Sequence, residues 1–212
     1  MRKKYKIKEI YYTLQGEGFH SGRPAIFCRF SGCNLWNGLE ESRHKAICKF
    51  CDTDFWGVDG ENGGKYTKTE LASLLATLWP KTNNENMFVV FTGGEPLLQL
   101  DEELTGAVRT AGFEIAIETN GTIEVPRGVD WVCMSPKANT ELVVIKGDEL
   151  KVVFPQKGIE PNDFENWDFT HHFLQPMDNE NQQENIAACI EYCKANPIWK
   201  LSLQTHKILD IP

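Results

Sequence analysis

No stretch of the 212 residues approaches the roughly 18 to 20 consecutive apolar side chains that a membrane-spanning helix needs, so no such span is expected. The opening Met1-Arg-Lys-Lys-Tyr-Lys-Ile-Lys8 is basic, yet it leads into alternating residues instead of the apolar block of a signal peptide. A cytoplasmic protein is the expectation. Positive charge is also in deficit, because 22 Lys and Arg against 30 Asp and Glu leave a formal net charge of -8. Nucleic-acid affinity rests on neutralising phosphates, so the expected partner is a small molecule and not nucleic acid. Internal repeats and low-complexity linkers are missing, which leaves one domain over 1–212 as the default. Seven cysteines is an odd number in a chain without an export signal, so a disulfide framework explains them poorly.

Short β-like runs recur at Ala25–Phe30, Met87–Phe91, Phe113–Glu118, Trp131–Met134, Leu150–Phe154, His172–Gln175 and Trp199–Gln204, and Lys6–Ile10 alternates as an edge strand would. Helical patterning appears in three places. Thr67 with Glu70 has the spacing of a capping box and precedes Leu71, Leu74, Leu75 and Leu78, with Pro80 ending the run. A second helix is expected from about Leu97 to Ala111, closed by Gly112. A third spans Gln182 to Ala195, with Ile186, Ile190 and Cys193 on one face. The early strand–helix alternation implies parallel crossovers, while the later links are too short or irregular for full helices. The expected fold is therefore α/β, a partial, curved parallel (β/α) barrel of about six strands with an incomplete coat of about three helices.

Cys33 follows the run ending at Phe30 after a Ser31-Gly32 turn, past a strand's C-terminal end, where ligand sites in parallel α/β folds gather. Cys48-Lys-Phe-Cys51 adds two sulfurs from one loop, a spacing used by both zinc and iron–sulfur sites. A closed zinc site wants a fourth ligand, and His44 and His20 stand at no standard offset. Three thiolates on a four-iron cube instead leave one iron free to bind something else. Cys28, Cys133, Cys189 and Cys193 lie in apolar runs or helical patterns and read as small buried hydrophobes.

Past the second strand stands Thr92-Gly-Gly-Glu-Pro96, and with it the chain resembles the radical S-adenosylmethionine superfamily. The usual C-x3-C-x2-C spacing is stretched here to C-x14-C-x2-C, a form found in the 7-carboxy-7-deazaguanine synthase family, with the insertion at about 34–47. Leu14-Gln-Gly-Glu-Gly18, Arg29, Cys51-Asp-Thr53, Glu118-Thr-Asn-Gly121, Ser135-Pro-Lys137, Gln175-Pro-Met177 and Gln204-Thr-His-Lys207 carry the resemblance along nearly the whole chain.

The resemblance implies a [4Fe-4S] cluster on Cys33, Cys48 and Cys51. It implies S-adenosylmethionine held by Gly93, Gly94, Glu95, Glu118, Asn120, Ser135, Lys137 and Gln175, with Glu95 gripping the amino group. Read alone, Gly93-Gly94 is equally a tight turn, and Lys137 or Glu118 a solvated charge. Asp52-Thr53 alone reads as an Asx turn, but the family points to Mg2+ at Thr53 with Asp52 beside it. Gln15, Glu17, Arg29, Thr92, His206 and Pro212 are the implied substrate contacts, the last through its terminal carboxylate, which would make a C-terminal tag harmful. A carboxylate and an amide can read a pterin edge, and Arg29 suits a carboxylate or a barrel ion pair.

The implied reaction turns 6-carboxy-5,6,7,8-tetrahydropterin into 7-carboxy-7-deazaguanine by hydrogen abstraction, radical ring contraction and loss of ammonia, feeding queuosine formation. A flavodoxin-type reductant is expected to dock on Arg43, His44, Lys45 and Lys49, unless these are plain solvated charges. A homodimer is expected to cover sheet edges. The competing readings are another radical enzyme, such as a glycyl-radical activase, and a non-catalytic zinc module.

Overall fold

The computed structural model describes residues 3–81 and 85–212. Along them run β1 (Tyr5–Leu14), β2 (Pro24–Phe30), β3 (Gly64–Tyr66), α1 (Lys68–Leu78), β4 (Phe88–Gly93), α2 (Glu102–Thr110) and β5 (Glu114–Thr119). There follow β6 (Trp131–Met134), β7 (Lys146–Phe154), β8 (Asp168–Pro176), α3 (Gln182–Ala195), β9 (Trp199–Leu201) and α4 (Thr205–Leu209). One sheet takes all the strands in the order β3-β1-β2-β4-β5-β6-β7-β8-β9. Every neighbour pair from β2 to β9 is parallel, while β1 and β3 extend the β2 edge antiparallel. The curved, unclosed parallel architecture is as expected. It has nine strands against about six because β1 and β3 add an antiparallel edge to β2 and β9 adds a parallel one to β8.

The helices are partly where the pattern placed them. Thr67 Oγ1 accepts from Glu70 N and Glu70 Oε2 accepts from Thr67 N, so the capping box starts α1. The expected 97–111 helix is instead a 3-10 turn at Pro96–Leu98 and a separate α2, because Asp101 caps a new start by accepting from Leu104 N (3.0 Å). Gly112, at φ +98, takes the left-handed position after it. α3 has the expected limits but another inner face: Asn185 and Cys189 are buried, and Ile190 is exposed. Asn185 earns its place by donating to Met177 O and Asn179 Oδ1 (2.8 and 2.9 Å). No helix among the described residues is long and apolar enough to cross a membrane.

Two apolar clusters hold the layers together. One joins β1, β2, β4 and β5 to α1 and α2 through side chains such as Ile26, Leu71, Phe91 and Leu104; the other joins β6 to β9 with α3 through Leu150, Val152, Leu174 and Cys189. The opposite, concave face is polar. Side chains alternate across a strand, and register aligns Arg29 with Thr92, Glu118 with Cys133, and Cys133 with Glu149. Burying charges on that face costs free energy unless they are paired, so their arrangement locates the site.

Candidate active site

The concave face encloses a cavity of about 540 Å³ at the C-terminal ends of the parallel strands. Every site residue expected from the sequence lines it except Cys33 and Glu95. On its floor, Lys151 of β7, 5% exposed, is ion-paired to Glu17 and lies 3.6 Å from Glu118 Oε1. Glu118 also accepts from Gln15 Nε2 (3.1 Å) and Thr92 Oγ1 (3.2 Å), and Glu17 from Gln204 Nε2 (3.0 Å). Burial works against ionised Glu17, yet Lys151 and Gln204 outweigh it and hold the carboxyl below the ordinary range. Burial likewise opposes the Lys151 charge, and Glu118 and Glu17 reverse this, raising its pKa well above normal. Lys151 and its neighbour Glu149, whose carboxyl is pushed up by burial, were missed by sequence reasoning. Their signal was two charges at alternate positions, Glu149 and Lys151, which share one face of a strand otherwise apolar over Leu150–Phe154.

Arg29 stands on the β2 wall, where Nε donates to Glu9 (2.8 Å) and Nη2 to the Tyr11 hydroxyl (3.0 Å). The ion-pair reading of Arg29 is therefore realised, and the same side chain borders the cavity. Cys28 and Cys189 are buried as expected and Cys193 half-buried, whereas buried Cys133 also faces the cavity.

Cys33, Cys48 and Cys51 converge at the rim. Cys48 and Cys51 share a hydrogen bond that, against burial, lowers the Cys51 thiol to about 6 and raises its partner. Burial raises Cys33, and its sulfur lies close enough to Cys51 for their charges to oppose one another. Trp36, Ala46 and Phe55 pack behind Cys33 and Cys51. No three His, Cys, Asp or Glu donors among the described residues converge as a single ion would require. Three thiols from this loop can each bind a separate corner of a four-iron cube. Gly94 permits the approach: a Cβ there would lie 2.3 Å from Gly32 O and 2.6 Å from Cys33 Cβ. Beside the thiols, the Lys137 ammonium donates to Ser135 O (2.8 Å) and Oγ (2.7 Å). Burial pushes its pKa down, and an anionic ligand would restore it.

Glu95, the expected ammonium grip, is already engaged by groups of the protein itself. It is fully buried behind the wall, where it accepts from Leu97 N (3.0 Å), Asn120 N (2.8 Å) and the Thr119 hydroxyl (2.9 and 3.0 Å). Its backbone N–H donates to Gly32 O (3.0 Å), tying the glycine turn to the cysteine loop. Glu95 thus fixes the positions of Gly93, Gly94 and Asn120, which do face the cavity.

Residues 202–212 close the open side. Gly18 N donates to Ser202 Oγ (2.9 Å), Thr205 N to Gly16 O (2.9 Å), and Thr13 Oγ1 to Pro212 O (3.0 Å). His206 lies so close to Gly16 that a Cβ there would be 2.2 Å from Nδ1. Asp52 accepts from Lys207 (2.6 Å), which outweighs desolvation and keeps the carboxyl below its ordinary range; Thr53 stands beside it. Of the basic loop residues, His44, Lys45 and Lys49 are exposed. Arg43 is not a free docking charge, because it pairs with Glu40 (2.7 Å), lies over Trp36 (4.1 Å) and donates to the Lys49 and Cys51 carbonyls (both 3.0 Å).

No family model matches the chain. A 7-carboxy-7-deazaguanine synthase from Burkholderia multivorans is 55% identical over 209 residues, covering 98% of this chain and 99% of its own. Another, from Nitratidesulfovibrio vulgaris, is 50% identical with the same coverage. The crystal structure of QueE from Escherichia coli superposes with a TM-score of 0.66 at 29% identity, covering 94% of this chain and 93% of that one. Cysteines poised for a cluster, a cavity beside them and this similarity over nearly the whole length agree: the chain belongs to the 7-carboxy-7-deazaguanine synthase family of radical S-adenosylmethionine enzymes.

Proposed function

We propose that the chain forms 7-carboxy-7-deazaguanine from 6-carboxy-5,6,7,8-tetrahydropterin by radical ring contraction with loss of ammonia, serving queuosine formation. The observation that carries this is one cavity with the cluster thiols at its rim and a carboxylate–amide set, Gln15, Glu17 and Glu118, on its floor. A [4Fe-4S] cluster on Cys33, Cys48 and Cys51, with S-adenosylmethionine bound, supplies the one-electron chemistry that starts the reaction. Gly93, Gly94, Asn120, Ser135, Lys137 and Gln175 surround the space beside the thiols and are proposed to hold that cofactor, Lys137 through its carboxylate. Glu118 is proposed to reach the cofactor or the pterin from the floor, and Glu95 to act by fixing the glycine turn.

Gln15 and Glu17 are proposed to read the pterin edge, with Thr92, His206 and Pro212 around it and Arg29 facing its carboxylate. Lys151 keeps Glu17 ionised and therefore an acceptor. Thr53 offers a hydroxyl for Mg2+, a hard ion that keeps several waters. Asp52 is engaged by Lys207, which favours a role for it through those waters.

The chain is further proposed to act in the cytoplasm as one domain, 1–212, in which about 34–47 is an inserted cluster loop. A flavodoxin-type reductant would meet exposed His44, Lys45 and Lys49. Exposed Tyr12, Leu14, Ile208 and Leu209 favour a homodimer. The decisive assay incubates anaerobically reconstituted protein with S-adenosylmethionine, Mg2+, reductant and the carboxytetrahydropterin. Deazaguanine product is expected; deoxyadenosine without it would reject this substrate.

A further inference from the structure

Lys207 is set apart by what it joins. From α4, its ammonium donates to Asp52 Oδ2 (2.6 Å), Asp178 Oδ2 (2.5 Å) and Gln204 Oε1 (3.1 Å). Asp52 belongs to the cluster loop, between Cys51 and Thr53, and Asp178 to the loop after β8. Gln204 in turn donates to Glu17 Oε1 (3.0 Å) and Asp52 Oδ2 (3.3 Å). One cation thus neutralises two carboxylates from separate loops, which without it would repel one another across the cavity mouth. The 202–212 segment is held besides by hydrogen bonds that include Thr205 Oγ1 to Gly16 O (2.8 Å), Ser202 Oγ with Gln175 Oε1 (3.2 Å) and Thr13 Oγ1 to Pro212 O (3.0 Å).

We propose that Lys207 is a positioning residue for substrate: it clamps residues 202–212 over the cavity and holds Asp52 by one oxygen, so that Thr53 and His206 are set before the pterin arrives. This rests on the proposed substrate site, but the clamp itself is measurable without substrate. Lys207 is 36% exposed in its side chain, so its bonds are partly screened. Preorganisation of this kind acts on binding more than on chemistry.

The test compares Lys207→Met and Lys207→Arg with the wild type. In cluster-free, ligand-free protein, backbone amide exchange over 202–212 should rise several-fold in Lys207→Met. In reconstituted enzyme, KM for the carboxytetrahydropterin should rise by roughly tenfold, the loss of a charged hydrogen bond, with kcat within about threefold. Lys207→Arg should recover part of both. Unchanged exchange, or a fall in kcat at unchanged KM and exchange, would overturn the proposal. Should Lys207→Met fail to fold, Asp178→Asn removes one arm of the clamp and should raise exchange in the same segment; no change there would also overturn it. Failure of the substrate assignment would show separately, as wild-type enzyme without deazaguanine product.

Discussion

Glu95 provides the sharpest check on the site, because its expected and observed places predict opposite outcomes for Glu95→Ala. The substitution leaves Leu97 N, Asn120 N and the Thr119 hydroxyl inside the protein without their acceptor. An unsatisfied buried donor costs about 1–3 kcal/mol. Thr119 Oγ can turn elsewhere, which leaves two backbone groups and a sum of about 2–6 kcal/mol. Burial raises the Glu95 pKa, so removing the carboxylate returns part of its own desolvation cost, and a net loss of about 2–4 kcal/mol remains. For a chain of this size that corresponds to a melting point lower by roughly 5–15 °C. The assay is thermal unfolding of cluster-free protein followed by circular dichroism, paired with S-adenosylmethionine binding to reconstituted protein. A variant that melts with the wild type but has lost cofactor affinity would refute the anchoring role and return Glu95 to the ligand.

Lys151→Met leaves Glu17 and Glu118 without their shared cation, and breaking a buried pair in this way should cost about 3–5 kcal/mol by urea unfolding; an unchanged midpoint would sink the floor network. Gly94→Ala should lower iron and sulfide content after reconstitution, since its Cβ would meet Gly32 O at 2.3 Å, whereas Gly106→Ala, with nothing within 4 Å, should stabilise α2 by about 0.5–1 kcal/mol. Burial lowers the imidazole pKa of His20 and His172, and both leave Nε2 without a partner. Protonation then favours the unfolded chain, so stability is full above the ordinary value of 6.5 and falls as pH drops through it. Denaturation midpoints measured across that range should show the fall, and His172→Phe should lessen it; an identical slope would count against this origin.

What could be read in the sequence was whatever depends on local pattern. The apolar centres of β2, β4, β5 and β6, the Thr67 capping box and the cysteine spacing all survive into the structure because each is decided within a few residues. β3 and α4 escaped because three and five residues hold no period, and they exist through β1 and the cavity rim. The buried face of α3 was misjudged because polar Asn185 turns inward to cap a loop, and apolar Ile190 turns out. Motif residues clustered as the pattern implied. Which member borders the cavity and which is buried beside it was invisible, since Glu95 and Gly94 are adjacent in sequence yet only Gly94 lines the cavity.

The bond from Thr205 to Gly16 joins positions 189 residues apart. Bringing together positions so far apart costs loop-closure entropy that local contacts do not. During synthesis every strand of the sheet has therefore left the ribosome before this bond can exist. The chamber is therefore completed only when the end of the chain is present to meet its beginning.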